Sequence, residues 1–262
     1  MAETIVKRKS QIANESAPAA TERGSIDFPP WYGEFGWEIM SWAPQLRLQS
    51  QGCEKVAVTS FAGMGPLYED FATEFKSHGQ SGRGLKYPKK YRPAGLYHKY
   101  GRPEECEYWF DCLIHARGIG RKSSINYKRW GELLAMIKKD IPATCACVGS
   151  RSDLRFGMMP DMRGLGLQQL MNLISRARLV VGVSSGLMHL AAACGTDIVV
   201  WGDRRTYFGE TLEKRYKMTW NPFNVKVGWI YGDKFQPEPE QIAERIREIY
   251  ESTTEKYAAT SR

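Results

Sequence analysis

The chain has 262 residues, 42% of them hydrophobic and 25% charged, with a net charge of +8. This composition is typical of a globular protein with a sizeable core, and it excludes a largely disordered chain. There is no run of eighteen apolar residues and no secretory signal pattern near the start, so we expect a cytoplasmic protein without a membrane span. The six cysteines show neither a CxxC pair nor a zinc-ligand spacing, which excludes a disulfide scaffold and a zinc module.

The first hundred residues predict a tail and a small α/β unit. Residues 1–26 have no amphipathic period and are predicted to be a flexible tail. A Gly-rich loop follows from Phe28 and leads into a helix, with Pro44 expected in its first turn. Residues 55–63 read as a strand, and the apolar spacing of residues 66–77 predicts a helix.

Residues 75–103 form a basic segment that is predicted to be mostly loop, because residues 78–103 contain five glycines and three prolines. The segment has eight Lys and Arg and no Asp or Glu, an excess equal to the whole net charge. Such a local excess favours a polyanionic partner or substrate, and its cations alternate with tyrosines as in proteins that hold phosphodiester backbones. A solvated basic loop is the alternative. The predicted acceptor-binding cations are Lys86, Lys89, Lys90 and Arg92.

Strand-like and helix-like segments alternate regularly after the basic segment. Strands are predicted at 107–116, 144–150, 178–183 and 197–202, and helices at 127–139, 166–177, 185–194 and 239–252. This alternation is typical of βα units around a parallel sheet. We place a boundary near residues 101–106, which gives a small N-terminal α/β domain, 27–104, and a larger C-terminal α/β domain, 105–262.

The most informative segment is residues 177–203, ARLVVGVSSGLMHLAAACGTDIVVWGD. It reads as a buried strand, a Ser/Gly turn, a helix of small residues and a second buried strand. Unused backbone N–H groups and the positive end of the helix dipole at Ser184, Ser185 and Gly186 favour an anion site. His189 lies about one turn into the helix and is expected to face the same crevice. The alternative is a close-packed βαβ unit in which a serine is only the N-cap.

This segment resembles the C-terminal domain of the bacterial heptosyltransferases, glycosyltransferase family 9, in which a strand ending in Gly-Val-Asp-Ser-Gly precedes a Met-His-Leu-Ala-Ala helix. The family's aspartate is Ser184 here. The resemblance implies a GT-B-like α/β fold, with two Rossmann-like parallel-sheet domains facing a cleft and a reduced N-terminal domain. It also implies a set of donor-binding residues, namely Ser184, Ser185, Gly186, Leu187, Met188 and His189.

Two further segments resemble the family. FDCLIHARGIGRKSSINYKRW, residues 110–130, is similar to the family's strand, Gly loop and Lys-Arg-Trp helix start, so Lys128, Arg117 and Arg121 are expected near the donor phosphates. A solvated helix face is the alternative for Lys128. Near the N-terminus, Glu38 stands six residues before Pro44 where the family has an aspartate, with Trp37 inserted after the glycine.

The resemblance implies transfer of a sugar from a nucleotide-sugar co-substrate to an acceptor hydroxyl, inverting and without a metal or other cofactor. Helix N–H groups and cations would stabilise the leaving diphosphate, and a carboxylate would act as general base. Glu38 is the first choice and Glu34 the second, and helix-start electrostatics is the alternative for both. Neighbouring aromatic residues either stack on sugar or base, with Trp37 as an acceptor contact, or pack the small N-terminal core.

A protein of another class stays open: a nucleic-acid-binding protein on a degenerate GT-B scaffold, favoured by the basic segment and by Ser184. A glycosyltransferase with a polyanionic acceptor, such as modified DNA or a phosphorylated glycolipid, reconciles the two. The chain has no GxGxxG after a first strand and no GxxxxGK[ST], so dinucleotide and P-loop sites are not indicated. VSSGL is not a GxSxG nucleophile elbow.

Overall fold

The computed structural model describes residues 23–79, 95–101, 109–118, 126–203 and 211–260. Two parallel sheets organise these residues. The first has the strand order β1-β2-β3, with β1 Arg23–Asp27, β2 Cys53–Phe61 and β3 Glu74–His78. The second has the order β6-β5-β4-β7-β8-β9, with β4 Phe110–His115, β5 Cys145–Gly149, β6 Asp161–Arg163, β7 Ala177–Val183, β8 Asp197–Gly202 and β9 Val227–Tyr231.

Two predictions for the first sheet are wrong. Residues 23–26, assigned to the tail, belong to β1, which pairs with β2 from Arg23↔Cys53 to Asp27↔Ala57. The helix predicted at 66–77 is instead a short 3₁₀ turn, Gly65–Leu67, followed by β3. Its apolar residues still pack inward, but pairing with the exposed edge of β2 decides the backbone conformation. Residues 1–22 lie outside the described part of the chain.

Helix α1 connects β1 to β2 and contains a wide turn. It consists of the α-helical Phe35–Trp37, a π-helical turn Glu38–Trp42 and the α-helical Ala43–Gln49. Pro44 therefore lies inside the helix rather than in its first turn. Proline has no N–H for the carbonyl four residues earlier, and that carbonyl, of Met40, accepts a hydrogen bond from the Tyr97 hydroxyl at 2.9 Å instead. A π-helical turn accommodates one extra residue, as the inserted Trp37 requires.

The second sheet is buried on both faces. Helices α2 Trp130–Asp140 and α6 Pro239–Thr260 share one core with the inward side chains of β4, β7 and β8, and Trp201 is fully buried there. Helices α3 Leu167–Ser175, α4 Gly186–Ala193 and α5 Leu212–Met218 share the core on the other side. Near-continuous apolar strands are what a parallel sheet covered by helices requires.

The two sheets do not have separate cores. Ile39 and Leu46 of α1 belong to the same buried cluster as Leu113, Val180 and Leu190 of the second sheet and α4. The predicted boundary near residues 101–106 falls between the sheets, and the domain limits stay predictions. Within the described residues, no helix has the length and apolarity needed to cross a membrane.

Candidate functional site

The start of α4 lies at the carboxyl edge of the second sheet, directly after β7. Ser185 is the N-cap, with extended backbone angles and no side-chain cap hydrogen bond. Its carbonyl accepts the N–H groups of Met188 and His189 at 3.1 and 3.3 Å, so the N–H groups of Gly186 and Leu187 lie before the intrahelical ladder. The Ser184 N–H donates to the Trp201 carbonyl at 2.9 Å. The predicted turn and helix are confirmed, and they present N–H groups at this edge.

The Ser185 hydroxyl contacts two residues that the sequence interpretation missed. Its Oγ lies 3.2 Å from His115 Nδ1, and His115 Nε2 lies 3.5 Å from Asp153 Oδ2. Burial alone would raise the pKa of Asp153, but hydrogen bonds from His115 and the backbone of Gly118 and Ser150 hold it well below its ordinary value. His115 ends β4 and Asp153 follows β5. Because the carboxyl ends of neighbouring parallel strands meet at one edge, this placement was the available signal.

Glycine makes this close packing possible. Gly149 has φ +128°, and a Cβ on it would lie 2.4 Å from Asp153 Oδ2. Gly182 pairs directly with His115 across β7 and β4, and a Cβ there would lie 3.2 Å from His115 Cβ. The histidine and the carboxylate thus approach each other over positions without side chains.

The N-terminal unit packs against the start of α4. A Cβ on Gly186 would lie 2.9 Å from Phe35 Cδ1 and 3.1 Å from the Gly36 nitrogen. A Cβ on Gly36 would lie 2.8 Å from His189 Cδ2. The beginnings of α1 and α4 therefore meet glycine to glycine, which brings the loop that carries Glu34 and Glu38 to the predicted donor site.

Three predicted donor residues of α4 have buried side chains. Leu187 and Met188 point into the core, so Leu187 has only its backbone N–H to offer at the helix start. His189 packs against the rings of Tyr216 and Trp220, with centroids 5.8 and 4.6 Å away. Burial lowers the pKa of His189 to about 4, so the ring is neutral near pH 7. The expectation that His189 supplies positive charge to the crevice is therefore wrong.

The predicted donor cations precede α2. Arg117 is half-buried just after β4, and Lys128 is exposed two residues before the helix, with its backbone N–H donating to Gln236 Oε1 at 2.9 Å. Both belong to the connection that leaves the carboxyl end of β4, which is the edge where α4 begins. Arg129 instead forms ion pairs with Glu132 and Glu238. Arg121 lies outside the described residues.

Glu38, the predicted general base, is buried with 1% exposure. Its Oε1 accepts hydrogen bonds from the Ser60 hydroxyl and, at 2.5 Å, from the Tyr68 hydroxyl, and within the described residues Oε2 has no hydrogen-bond partner. Burial raises its pKa, against the lowering effect of these two hydrogen bonds. Glu34 is exposed at the N-cap of α1. The assignment of the base stays a prediction.

The aromatic residues of the Gly-rich loop pack mainly against protein. Trp31 stacks on Trp42 with centroids 5.2 Å apart, and Tyr32 lies 4.6 Å from His78. Trp37, the predicted acceptor contact, is half-buried and meets Trp220 edge to face at 6.4 Å. These contacts favour the packing alternative for Trp31 and Tyr32, whereas Trp37 lies between the two units.

Only the ends of the basic segment are described. Lys76 in β3 pairs with Glu74, and the Lys99 chain lies against Gly195, beyond the C-terminal end of α4. Burial raises the pKa of Tyr97 and of Tyr100 to about 12, so these two rings are not available for stacking on a ligand as predicted. The four predicted acceptor-binding cations lie outside the described residues: Lys86, Lys89, Lys90 and Arg92.

Two surface cavities lie away from the start of α4. One of about 440 Å³ is lined by α5, the beginning of β9 and α6, and includes Lys217, Trp229 and Arg245. The other, of about 300 Å³, lies at the amino ends of β7 and β8 and includes Lys99 and Asp197. Within the described ranges, no three His, Cys, Asp or Glu side chains are grouped to hold a metal ion.

Residues 158–245 match the model of glycosyltransferase family 9 (heptosyltransferase). This third of the chain contains the start of α4, whereas Glu38, Lys128 and the His115–Asp153 pair lie outside it. No curated protein matches the sequence of the chain.

Solved structures resemble the chain over most of its length. A family 9 glycosyltransferase from Veillonella parvula has a TM-score of 0.62 at 10% identity, covering 89% of this chain and 99% of that one. E. coli ADP-heptose LPS heptosyltransferase II has a TM-score of 0.55 at 12% identity, covering 88% and 99%. TibC from enterotoxigenic E. coli, an iron-containing dodecameric heptosyltransferase solved with ADP-D-β-D-heptose, has a TM-score of 0.55 at 16% identity, covering 90% and 79%.

At these identities the structures show the fold, and the family model adds the sequence match around α4. The predicted α/β class with two parallel sheets is confirmed, and so is the resemblance to the heptosyltransferases. Residues 158–245 thus carry a glycosyltransferase family 9 match on a GT-B-like α/β fold, which supports a glycosyltransferase enzyme.

Proposed function

We propose that the chain transfers a sugar from a nucleoside diphosphate sugar to an acceptor hydroxyl, with inversion and without a metal ion. The start of α4 carries this proposal, because Ser185 and the N–H groups of Gly186 and Leu187 lie within the family match at the carboxyl edge of a parallel sheet. Ligands of open α/β sheets bind at that edge, and helix N-termini favour phosphate. TibC, of similar fold, was solved with an ADP-heptose donor.

The proposed reaction is a single displacement. The acceptor oxygen attacks the anomeric carbon, the bond from that carbon to the diphosphate oxygen breaks, and the nucleoside diphosphate leaves with the electron pair. The N–H groups of α4 and the ammonium of Lys128 stabilise the negative charge that develops on the diphosphate. The acceptor proton passes to a carboxylate.

We assign that proton to Glu38, with Glu34 as the alternative. Glu38 Oε1 already accepts two hydrogen bonds, which leaves Oε2 as the oxygen able to receive a proton. Burial raises its pKa, and a base with a pKa closer to neutral accepts a proton more effectively. Because Glu38 is 1% exposed, the acceptor reaches it only if the contact between α1 and α4 opens.

A thermal-shift panel of UDP, GDP, ADP, CMP and their sugars tests donor binding. A ligand at a hundred times its Kd adds about 2.7 kcal/mol to the free energy of unfolding. For a chain of this size that raises the melting midpoint by roughly 5–10 °C. Lys128→Ala should reduce this shift, while Lys138→Ala, an exposed lysine at the opposite end of α2, should not. If none of these nucleotides shifts the midpoint, the proposal fails.

Product analysis tests the finer parts of the proposal. The anomeric configuration of the product, read by NMR, should be opposite to that of the donor. Transfer should continue after exhaustive chelation, and loss of activity that added metal restores would contradict the metal-free step.

We also propose that the acceptor is polyanionic, because residues 75–103 hold eight cations and no carboxylate. The same feature supports the second candidate function, a nucleic-acid-binding protein that has lost transfer, together with Ser184 in place of the family's aspartate. The panel separates the two: nucleic-acid binding without binding of any nucleotide sugar would favour the second.

A further inference from the structure

Three polar side chains at the carboxyl edge of the second sheet form a chain that the transfer mechanism above does not use. Asp153 Oδ2 lies 3.5 Å from His115 Nε2, and His115 Nδ1 lies 3.2 Å from Ser185 Oγ. Ser185 also precedes the N–H groups of Gly186 and Leu187. The chain therefore runs from a carboxylate under the sheet edge to the position proposed for the diphosphate.

Asp153 is fixed as a hydrogen-bond acceptor. Its Oδ1 accepts the Gly118 N–H at 2.9 Å, and its Oδ2 accepts the N–H and the hydroxyl of Ser150 at 2.6 and 2.9 Å. A carboxylate held in this way has no proton to give, so the neutral His115 ring carries its hydrogen on Nε2, toward Asp153. Nδ1 is then an acceptor, and the Ser185 hydroxyl donates to it.

This proton arrangement is unfavourable for an anion at the start of α4. With its hydrogen turned toward His115, Ser185 presents only lone pairs to a phosphate oxygen, and two acceptors repel each other. A proton on Nδ1 reverses the arrangement, because the imidazolium donates to Ser185 Oγ and the hydroxyl hydrogen turns to the phosphate.

We propose that Asp153, His115 and Ser185 form a proton relay of the donor site, in which His115 takes up a proton from solvent as the diphosphate binds. This inference rests on the proposed function. His115 and Asp153 are positioning residues, since they act on the donor through the Ser185 hydroxyl. Histidine suits this role because imidazole gains and loses a proton near neutral pH.

The groups around His115 support the proposal. From the loop after β5 the Asp153 carboxylate faces the ring, and from the turn after β7 the Ser185 hydroxyl faces it, while the adjoining Gly149 and Gly182 carry no charge. Arg117 is the nearest cation along its own loop. His189, one turn into α4, is neutral because it is buried. An imidazolium at His115 would lie between two negative groups, Asp153 and the bound diphosphate.

Isothermal titration calorimetry of the full chain tests the relay, with ADP-ribose, UDP-glucose and GDP-mannose as probes. Their diphosphates are diesters, which lack the terminal phosphate ionisation with a pKa of about 6. Repeating each titration in buffers of different ionisation enthalpy gives the number of protons taken up on binding. At pH 8 an ordinary histidine is almost wholly neutral, so we expect uptake of about one proton per nucleotide sugar.

Variants assign the proton. His115→Gln should abolish the uptake and weaken binding about tenfold, as loss of a charge-assisted hydrogen bond does. His98→Gln, at a histidine with 45% side-chain exposure near Asp70, should leave the uptake unchanged. Asp153→Asn removes the carboxylate that stabilises the imidazolium, so its uptake should also fall, and it serves if His115→Gln does not fold.

The outcomes separate the relay from the proposed function. Binding by the unaltered chain without proton uptake overturns the relay and leaves the donor site standing. Uptake that persists in His115→Gln also overturns it, because the proton then belongs to another group. Failure of all three probes to bind contradicts the nucleotide-sugar donor site, and the relay with it.

Discussion

Arg47 in α1 connects the two segments that flank the basic loop, and its loss should destabilise the protein strongly. Its Nε and Nη2 donate to the two oxygens of Asp70 at 2.6 and 2.9 Å, and its Nη1 donates to the Leu96 carbonyl at 2.8 Å. The guanidinium also lies 4.8 Å from the centre of the Phe71 ring. The Arg47 side chain is 9% exposed and that of Asp70 is 21% exposed.

Arg47→Met keeps most of the apolar stem and removes the charge. Breaking a buried ion pair from one side costs about 3–5 kcal/mol, because the remaining charge is left without its partner. Asp70 is partly exposed and has His98 at 3.7 Å, so it regains some hydration and a second partner. We therefore expect the low end, about 3 kcal/mol. For a chain of this size the melting midpoint should fall by about 6–12 °C.

Calorimetric melting of the full chain measures this effect, with Arg129→Met as the matched control. Arg129 also pairs with carboxylates, Glu132 and Glu238, but at the surface, where an ion pair contributes little. Adding Asp70→Asn to Arg47→Met should recover part of the stability, because the unpaired charge is then gone. Equal midpoints for Arg47→Met and Arg129→Met would refute the reasoning.

Three further predictions concern the proposed site, and a fourth concerns the basic segment. Glu38→Gln should lower turnover by about 10²–10⁴ with donor affinity unchanged, and the same result from Glu34→Gln alone would move the base to Glu34. Because burial raises the pKa of Glu38, its contribution to stability is full below its ordinary value of 4.5 and is lost as the pH rises through the native-state pKa, so Glu38→Gln should gain stability relative to the wild type above pH 4.5 in chemical denaturation. Gly186→Val should lower the melting midpoint even without ligand, since its side chain would meet Phe35 and Gly36, and an unchanged midpoint would contradict this packing. Neutralising four cations should reduce the log–log salt slope of binding to duplex DNA by up to about 0.9 for each phosphate that they no longer neutralise, and an unchanged slope would remove the case for a polyanionic acceptor; the four are Lys86, Lys89, Lys90 and Arg92.

Local pattern was sufficient for most of the second sheet. The predicted strands and helices from residue 107 onward recur in the structure with ends shifted by a few residues, and β6, α5 and β9 were missed because they are short or lie between weak signals. The turn before α4 was predicted because its signal is contiguous: a buried strand, two serines and a glycine, then a helix of small residues. The resemblance to family 9 depends on the same contiguous stretch.

Pairing between distant residues decided the rest. The strand β3 forms where its apolar spacing predicted a helix, because the edge of β2 offers backbone partners that the sequence does not display. The proline in α1 is accommodated by the Tyr97 hydroxyl, which comes from a distant part of the chain. Neither contact leaves a periodic signal in the segment that it shapes.

The sequence by itself determined the α/β class, the order of most βα units and the polar turn at Ser184–Gly186, because periodicity and turn residues act over a few neighbours. Only the tertiary structure decided the chemical state of the site. It buried Glu38 beneath Ser60 and Tyr68, made His189 neutral against Tyr216 and Trp220, and joined Ser185 to His115 and Asp153. A side chain's charge depends on solvation and on partners from other strands, and those are set when the chain packs.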